Sequence, residues 1–584
     1  MTFAKLKIAS LVASALSKMG AAELPGEAEV ATMLEYPPSP DKGDLAFPCF
    51  RLSKALRKAP PMIAADVKAA IETDPLVEKV EQAGGYLNFY FNKTVFAATA
   101  LSEILDKKDR FGGSDEGKGK TVVLDYSSPN ICKPFHIGHL CTTVIGHSIK
   151  KLHEFSGYDC VGINYLGDWG TQFGKLMVAY RKWGSKEAVE QGGIDVLVDL
   201  YVRINHEIDG DPDKGIEGNK ALADEARAEF AKLENGDPDN IELWKWFKEI
   251  SMKEYEKTYA QLDITFDSYL GESFYTDKMP EQVEKLRQCG LLKIDDGASI
   301  VDLSDYKMPP CLILKRDGTT LYPTRDIAAA VYRQKTYNFD KCIYVTADQQ
   351  SLHFKQWIKV VEMMGYDWYD KLVHVPYGTI SVAGVKLSTR HGNVLLLRDV
   401  FGQAVDKVRS VIEEKNPDLE NKEAVAESVG IGAIIYYYLL GGIGKASSFV
   451  MDDALSFDGN TGPYAQYTYA RTCSILAKAK ELGKSALENG ADAVITTDEE
   501  FALAKQLALF PEKVKTALDS YEPSVITHYI FDTATLFNRF YHNCPVLNAE
   551  DEKVLATRLA LTKSAGYVLK SAFSLICMKA PEKI

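Results

Sequence analysis

The spacing of apolar residues changes several times along the chain, and each change marks a different element. Val122, Val123 and Leu124 form a short unbroken apolar run, as in a parallel strand covered on both faces. Ser127-Ser128-Pro129-Asn130 ends it, because proline fixes φ and pushes the preceding residue out of the helical region. After Pro134, from Gly138 onward, Leu140, Val144, Ile145, Ile149, Leu152 and Phe155 recur every three or four positions, which predicts an amphipathic helix. A second strand is expected over residues 159–165. Strand, loop, helix and strand in this order predict a parallel βαβ unit, with ligands at the carboxyl end of its first strand.

The same reading divides the rest of the chain. Leu6, Ile8, Leu11, Val12, Leu16 and Met19 repeat helically, and GGYLNFYFN (84–92) alternates as a strand, so residues 1–110 read as a small α+β domain. FGGSDEGKGK (111–120) is a linker rich in glycine and charge. A Rossmann-like α/β core is expected over 121–397, interrupted near 184–263 by an acidic helical insertion. Helices expected over 424–440, 465–482, 501–518, 525–541 and 551–576 make residues 398–584 an all-α bundle. A chain of 584 residues exceeds a single core, in keeping with several domains.

Composition narrows the picture. No apolar run reaches the roughly 18 residues of a spanning helix, so no membrane partner is expected. Lys5 and Lys7 before IASLVASAL superficially suggest a signal peptide, but the helical period favours an amphipathic helix of a folded domain. Ten cysteines, scattered from Cys49 to Cys577 without a C-x-x-C pair, argue against a zinc ribbon or a disulfide framework and fit a reducing cytoplasm. The net charge of −13 weighs against a nucleic-acid partner. Many acids, however, crowd into 187–249, which leaves room for a basic face elsewhere.

The candidate chemistry begins at His136-Ile137-Gly138-His139. Both histidines stand where a helix starts, so unpaired N–H groups and the positive end of the helix dipole would face a bound anion. They could donate to phosphate, cap the helix or bind a metal. Cys132 and Cys141 lie nearby but do not complete a usual zinc spacing. Gly138 admits a flat ring or a phosphate close to the backbone. Downstream, VKLSTRHGN (385–393) places a lysine, hydroxyls and an arginine on a plausible basic loop, able to hold a triphosphate or to be ordinary surface. In NYLGDWGTQFGKL (164–176), Gly167, Gly170 and Gly174 serve close approach or a turn, and Asp168 and Gln172 supply polar contacts.

SSPN-x-x-KP-x-HIGHL (127–140) resembles the signature of the class I aminoacyl-tRNA synthetases, and in this form that of the arginyl-tRNA synthetases. The resemblance extends over nearly the whole chain. It implies that VKLSTRHGN is the KMSKS loop in variant form: Lys386 keeps the first lysine, Thr389 replaces the second, and Lys133 supplies the missing charge, with Arg390 as an alternative. The catalytic residues are then His136, His139, Lys133 and Lys386. ATP would be held by His136, Gly138, His139, Lys386, Ser388 and Arg390.

A guanidinium is planar and always charged, so its recognition needs carboxylates and tolerates an aromatic face. Within segments that resemble the family, Tyr322 and Asp326 lie four apart on one side of an expected helix, and Glu272 and Gln350 add an acid and an amide. Ser128 and Asn130 would hold the amino-acid end. Tyr86 and Asn88 fall where the family touches tRNA, although Tyr86 could equally be strand packing. NTGPYAQYTYAR and FNRFYHNCPVL resemble the family's anticodon-binding bundle. Cys141 stands where many members have arginine, and His147 where a carboxylate or amide is usual.

The expected activity is therefore ATP-dependent ligation of L-arginine to arginine tRNA. It would run through arginyl-adenylate to the 2′-hydroxyl of the terminal adenosine, with Mg²⁺ accompanying ATP, no metal held by protein side chains, and a monomeric enzyme. The rivals are another class I synthetase and a catalytically silent synthetase-like tRNA-binding protein.

Overall fold

The structure is a computed structural model that describes all residues except 20–23, 211–216, 317, 319, 379, 383–395 and 446. The first domain is an antiparallel sheet of β1 (Leu45–Pro48), β2 (Val77–Ala83) and β3 (Tyr86–Phe91), with β3 in the middle. Helices Thr2–Ser17 and Pro60–Ala70 accompany it. This domain docks on the C-terminal helices: Lys5 pairs with Glu512 at 2.8 Å, Lys505 with Asp44 at 2.7 Å, and Phe96 meets Phe501 edge-on at 5.7 Å.

The central sheet contains β4 (Thr121–Asp125), β5 (Asp159–Ile163) and, much later in the chain, β9 (Lys341–Ala347) and β10 (Leu372–Tyr377). Its order is β10-β9-β4-β5, and every pairing is parallel. Val122, Val123 and Leu124 are wholly buried, as an unbroken apolar run requires when both faces of a strand are covered. Between β5 and β9 come the insertion helices Lys186–Gly192, Ile194–Asp209, Lys220–Glu234 and Pro238–Leu262. An antiparallel sheet of β6 (Leu292–Asp295), β7 (Ala298–Val301) and β8 (Cys311–Leu314) follows, then the helix Tyr322–Tyr337.

Three features differ from the sequence reading. The helix Ile137–Phe155 is buried nearly all round rather than along one stripe. The C-terminal bundle covers its second face, where Ser148 Oγ donates to the Leu575 carbonyl at 2.6 Å and Phe155 meets Phe510 at 6.2 Å. The helix expected over 501–518 is two, Asp498–Ala508 and Phe510–Ser520, because Pro511 cannot continue the ladder but suits a first turn. The region past 398 is not wholly helical either: β12 (Ser447–Phe449) returns to pair in parallel with β11 (Ile380–Val382). The helix Lys422–Leu440 is long and apolar enough to cross a membrane, but 67% of its most apolar window is buried in the fold, as in a core helix.

Candidate active site

The chain after β4 is held in an unusual shape. Ser127, Ser128 and Cys132 all have positive φ (70°, 46° and 61°), a conformation that non-glycine residues adopt only when their surroundings enforce it. Ser127 Oγ lies 2.7 Å from both Thr143 Oγ1 and Tyr259 OH. Ser128 Oγ donates to Asp125 Oδ1 at 2.9 Å and accepts from Tyr165 N at 3.0 Å. With its proton committed to Asp125, the Ser128 hydroxyl can offer a ligand only a lone pair, which suits an ammonium group. Asn130 bridges in parallel to Gly167, and a Cβ on Gly167 would lie 2.2 Å from Asn130 Oδ1, so this position must be glycine for the amide to lie there.

His136 is the N-cap of the helix Ile137–Phe155. Its Nδ1 accepts from Gly138 N at 3.1 Å, and His139 Nδ1 accepts from His136 N at 3.2 Å. The histidines therefore cap the helix, one of the roles open from sequence. The same bonds fix their tautomers: each Nδ1 is an acceptor, so each neutral ring carries its proton on Nε2. Burial, reinforced by Lys133, lowers the His136 pKa to about 4; burial, with His136 and Lys133, also pushes His139 well below its ordinary value. Gly138 has a reason nearer than ligand approach, since a Cβ there would lie 2.9 Å from the folded-back His136 ring. Tyr255 OH lies 2.8 and 2.7 Å from the carbonyl oxygens of Asn130 and Lys133, which share its one proton, and pins this loop to the insertion.

A cavity of about 530 Å³ opens at the carboxyl ends of β4 and β9. All six residues expected at the amino acid, namely Ser128, Asn130, Glu272, Tyr322, Asp326 and Gln350, line it together with His139. His136, Gly138 and Lys133 stand at the helix start and are not on its wall. Lys386, Ser388, Thr389 and Arg390 lie outside the described residues. Tyr86 is half-buried and packs edge-on against Phe50 at 5.1 Å, while Asn88 is buried within β3.

Asp326 is the fifth residue of its helix and not its cap, which is Leu321. Its Oδ2 lies 2.6 Å from His353 Nε2. Glu272 Oε2 accepts from Arg325 Nη1 at 3.0 Å. Burial raises the Glu272 pKa to about 7, against the pull of Arg325 and with help from Asp326 and Asp168. Asp168, fully buried, anchors the Glu272 loop by accepting from Ser273 N and Oγ at 2.8 Å and from Lys248 Nζ at 2.6 Å. Trp169 packs edge-on against Phe230 and Trp244, both at 5.8 Å, which gives it a structural role.

Several wall residues escaped the sequence reading. Asp125 pairs with the fully buried Arg333 at 2.7 Å. Arg333 follows Asp326 by seven residues, two helical turns, so helical spacing was the signal that could have found it. His353 stands three residues after Gln350, again one turn away. The departure at His147 also has a local explanation: its Nδ1 meets Tyr126 OH at 2.9 Å in a buried pair. Cys141 is buried on the same helix.

Three family profiles match the chain: "Arginyl tRNA synthetase N terminal domain" over 6–91, "tRNA synthetases class I (R), catalytic domain" over 100–441 and "DALR anticodon binding domain" over 465–584. The chain is 48% identical over 559 residues to the arginine–tRNA ligase of Alkaliphilus metalliredigens, covering 96% of this chain and 97% of that one. It is 48% identical over 555 residues to that of Clostridium perfringens, covering 95% and 96%. The solved arginyl-tRNA synthetase of Thermus thermophilus superposes with a TM-score of 0.81 at 26% identity, over 99% of both chains. The chain belongs to the arginyl-tRNA synthetases of class I.

Proposed function

We propose that the chain activates L-arginine with ATP and transfers it to arginine tRNA. One observation carries this reading: six residues chosen for arginine, from four separate stretches of sequence, line one cavity with the second histidine of the HIGH motif. In the first step an oxygen of the arginine carboxylate attacks the α-phosphorus, and the bond to the departing pyrophosphate breaks. In the second, the 2′-hydroxyl of the terminal adenosine attacks the activated carbonyl and releases AMP. No side-chain nucleophile is needed, so the protein contributes positioning and stabilisation of phosphate charge.

The Nε2–H groups of His136 and His139, the first N–H groups of their helix and Lys133 are assigned to the phosphates, with Lys386, Ser388 and Arg390 on the basic loop. Ser128, Asn130 and Gln350 hold the amino-acid end, and Tyr322, Asp326 and Glu272 the guanidinium. Mg²⁺ would bind through phosphate oxygens. Among the described residues no three His, Cys, Asp or Glu side chains converge on a metal position, so no protein ligands are assigned to it and no step here runs through it.

On the C-terminal bundle, Arg471 lies 5.1 Å from the Tyr467 ring and 5.3 Å from that of Tyr541, and both tyrosines are exposed. Exposed rings around a guanidinium suit stacking of unpaired bases. Together with the buried Asn88, this favours the bundle over β3 as the main tRNA surface. We read the enzyme as a cytoplasmic monomer, a location supported by ten cysteines that are all free. The test is ATP–pyrophosphate exchange with each amino acid, with and without arginine tRNA. Exchange stimulated by arginine alone is expected; stimulation by another amino acid, or none at all, would reject the reading.

A further inference from the structure

Two of the three carboxylates that line the cavity, Asp326 and Glu272, are each held on one oxygen by a nitrogen donor of the chain itself. Asp326 Oδ2 meets His353 Nε2 at 2.6 Å, and Glu272 Oε2 meets Arg325 Nη1 at 3.0 Å. The pattern crosses between elements. The helix Tyr322–Tyr337 supplies a carboxylate to a histidine of the helix Ser351–Met363, and the adjacent residue supplies a guanidinium to an acid of the turn Glu272–Lys278. Asp326, His353 and Glu272 line the cavity and Arg325 does not, so Arg325 approaches Glu272 from outside the ligand space. Among the described residues, Asp326 Oδ1 and Glu272 Oε1 have no hydrogen-bond partner.

A carboxylate with no fixed contact rotates about its last bond, and a ligand that binds it must first immobilise it. A donor on one oxygen fixes the plane and presents the other. We infer that His353 and Arg325 are positioning residues for arginine recognition: each anchors one oxygen of a pocket carboxylate and so leaves the other, held in a fixed plane, to the substrate guanidinium. The inference rests on the reading of this cavity as the arginine site. It also bears on specificity, because a planar guanidinium can span two fixed acceptors from different elements, whereas an ammonium is a point donor.

The test is exchange kinetics in the presence of tRNA. His353→Ala should raise the arginine KM about ten- to a hundredfold, the worth of one hydrogen bond to a charged group, with kcat and the ATP KM nearly unchanged. His353→Gln, whose amide nitrogen can reach the place of Nε2, should recover most of the loss. His353→Asn, whose amide cannot, should behave like Ala. Arg325→Gln should likewise raise the arginine KM and spare the ATP KM. In an Asp326→Asn background, His353→Ala should add nothing further. A parental arginine KM in His353→Ala or His353→Asn, or a His353→Ala effect that persists in full without the Asp326 carboxylate, would overturn the inference while leaving the site intact. An unchanged arginine KM in Asp326→Asn would instead remove the reading of the cavity itself.

Discussion

The rings of His136 and His139 stack with centroids 3.9 Å apart, and each uses its Nδ1 to receive a backbone N–H of the turn they share. Capping and phosphate donation therefore belong to different nitrogens of the same ring. His136→Asn places an amide oxygen near the position of Nδ1, so it should keep the cap but lose the Nε2–H donor. Adenylate formation should fall about a hundred- to a thousandfold with the melting temperature unchanged. His136→Ala should lose both, with a further stability cost of about 1 kcal/mol. Exchange rates and thermal melts of the two variants separate the roles.

Lys133→Ala should slow adenylate formation and raise the ATP KM, with the arginine KM unaffected. Lys133 lies close enough to both histidines to lower their pKa values, which places its charge at the same helix start. Single-turnover exchange at varied ATP checks this. A change confined to the arginine KM would contradict the assignment.

Arginine binding should carry an acid limb near neutrality. Burial raises Glu272 to about 7, so below that pH the side chain takes up a proton and loses the charge that attracts a guanidinium. The value of kcat/KM for arginine should fall as pH drops through 7 and level off above it. Glu272→Gln should flatten the limb at a lower overall level. His136, at about 4, stays neutral from pH 6 to 8 and adds no step.

The buried pair of Asp125 and Arg333 joins the end of β4 to the helix that carries Asp326, at 2.7 Å. Arg333→Met should cost about 3–5 kcal/mol, because it strands a carboxylate in the interior. The double variant Asp125→Asn/Arg333→Met should regain much of that stability. The double variant should nevertheless bind arginine poorly, since the Ser128 hydroxyl loses the carboxylate that orients it. Thermal unfolding and the arginine KM give the two readouts.

Tyr467→Ala and Tyr541→Ala should weaken arginine tRNA binding by about 1–3 kcal/mol each, the worth of a stacked base, while the melting temperature stays near parental. Filter binding at fixed salt measures this.

Much of the site was legible in the chain because its determinants are local. The apolar run of β4, the proline that ends it, the helix period from Leu140 to Phe155 and the four-residue spacing of Tyr322 and Asp326 each follow from one short stretch. The resemblance then named chemistry for residues that periodicity alone could not. Tertiary structure decided whatever depends on two distant segments meeting. It set β9 beside β4, so that Gln350 and His353 face Ser128 across one cavity. It paired Asp125 with Arg333, 208 positions on, and joined Asp326 to a histidine of a different helix. It buried both faces of the helix Ile137–Phe155, because bundle helices far along the chain, such as the one ending at Leu575, 427 positions after Ser148, cover the side that an isolated βαβ unit would leave to water. Local periodicity fixes which face of an element is apolar; which element covers it is set only when the chain closes on itself.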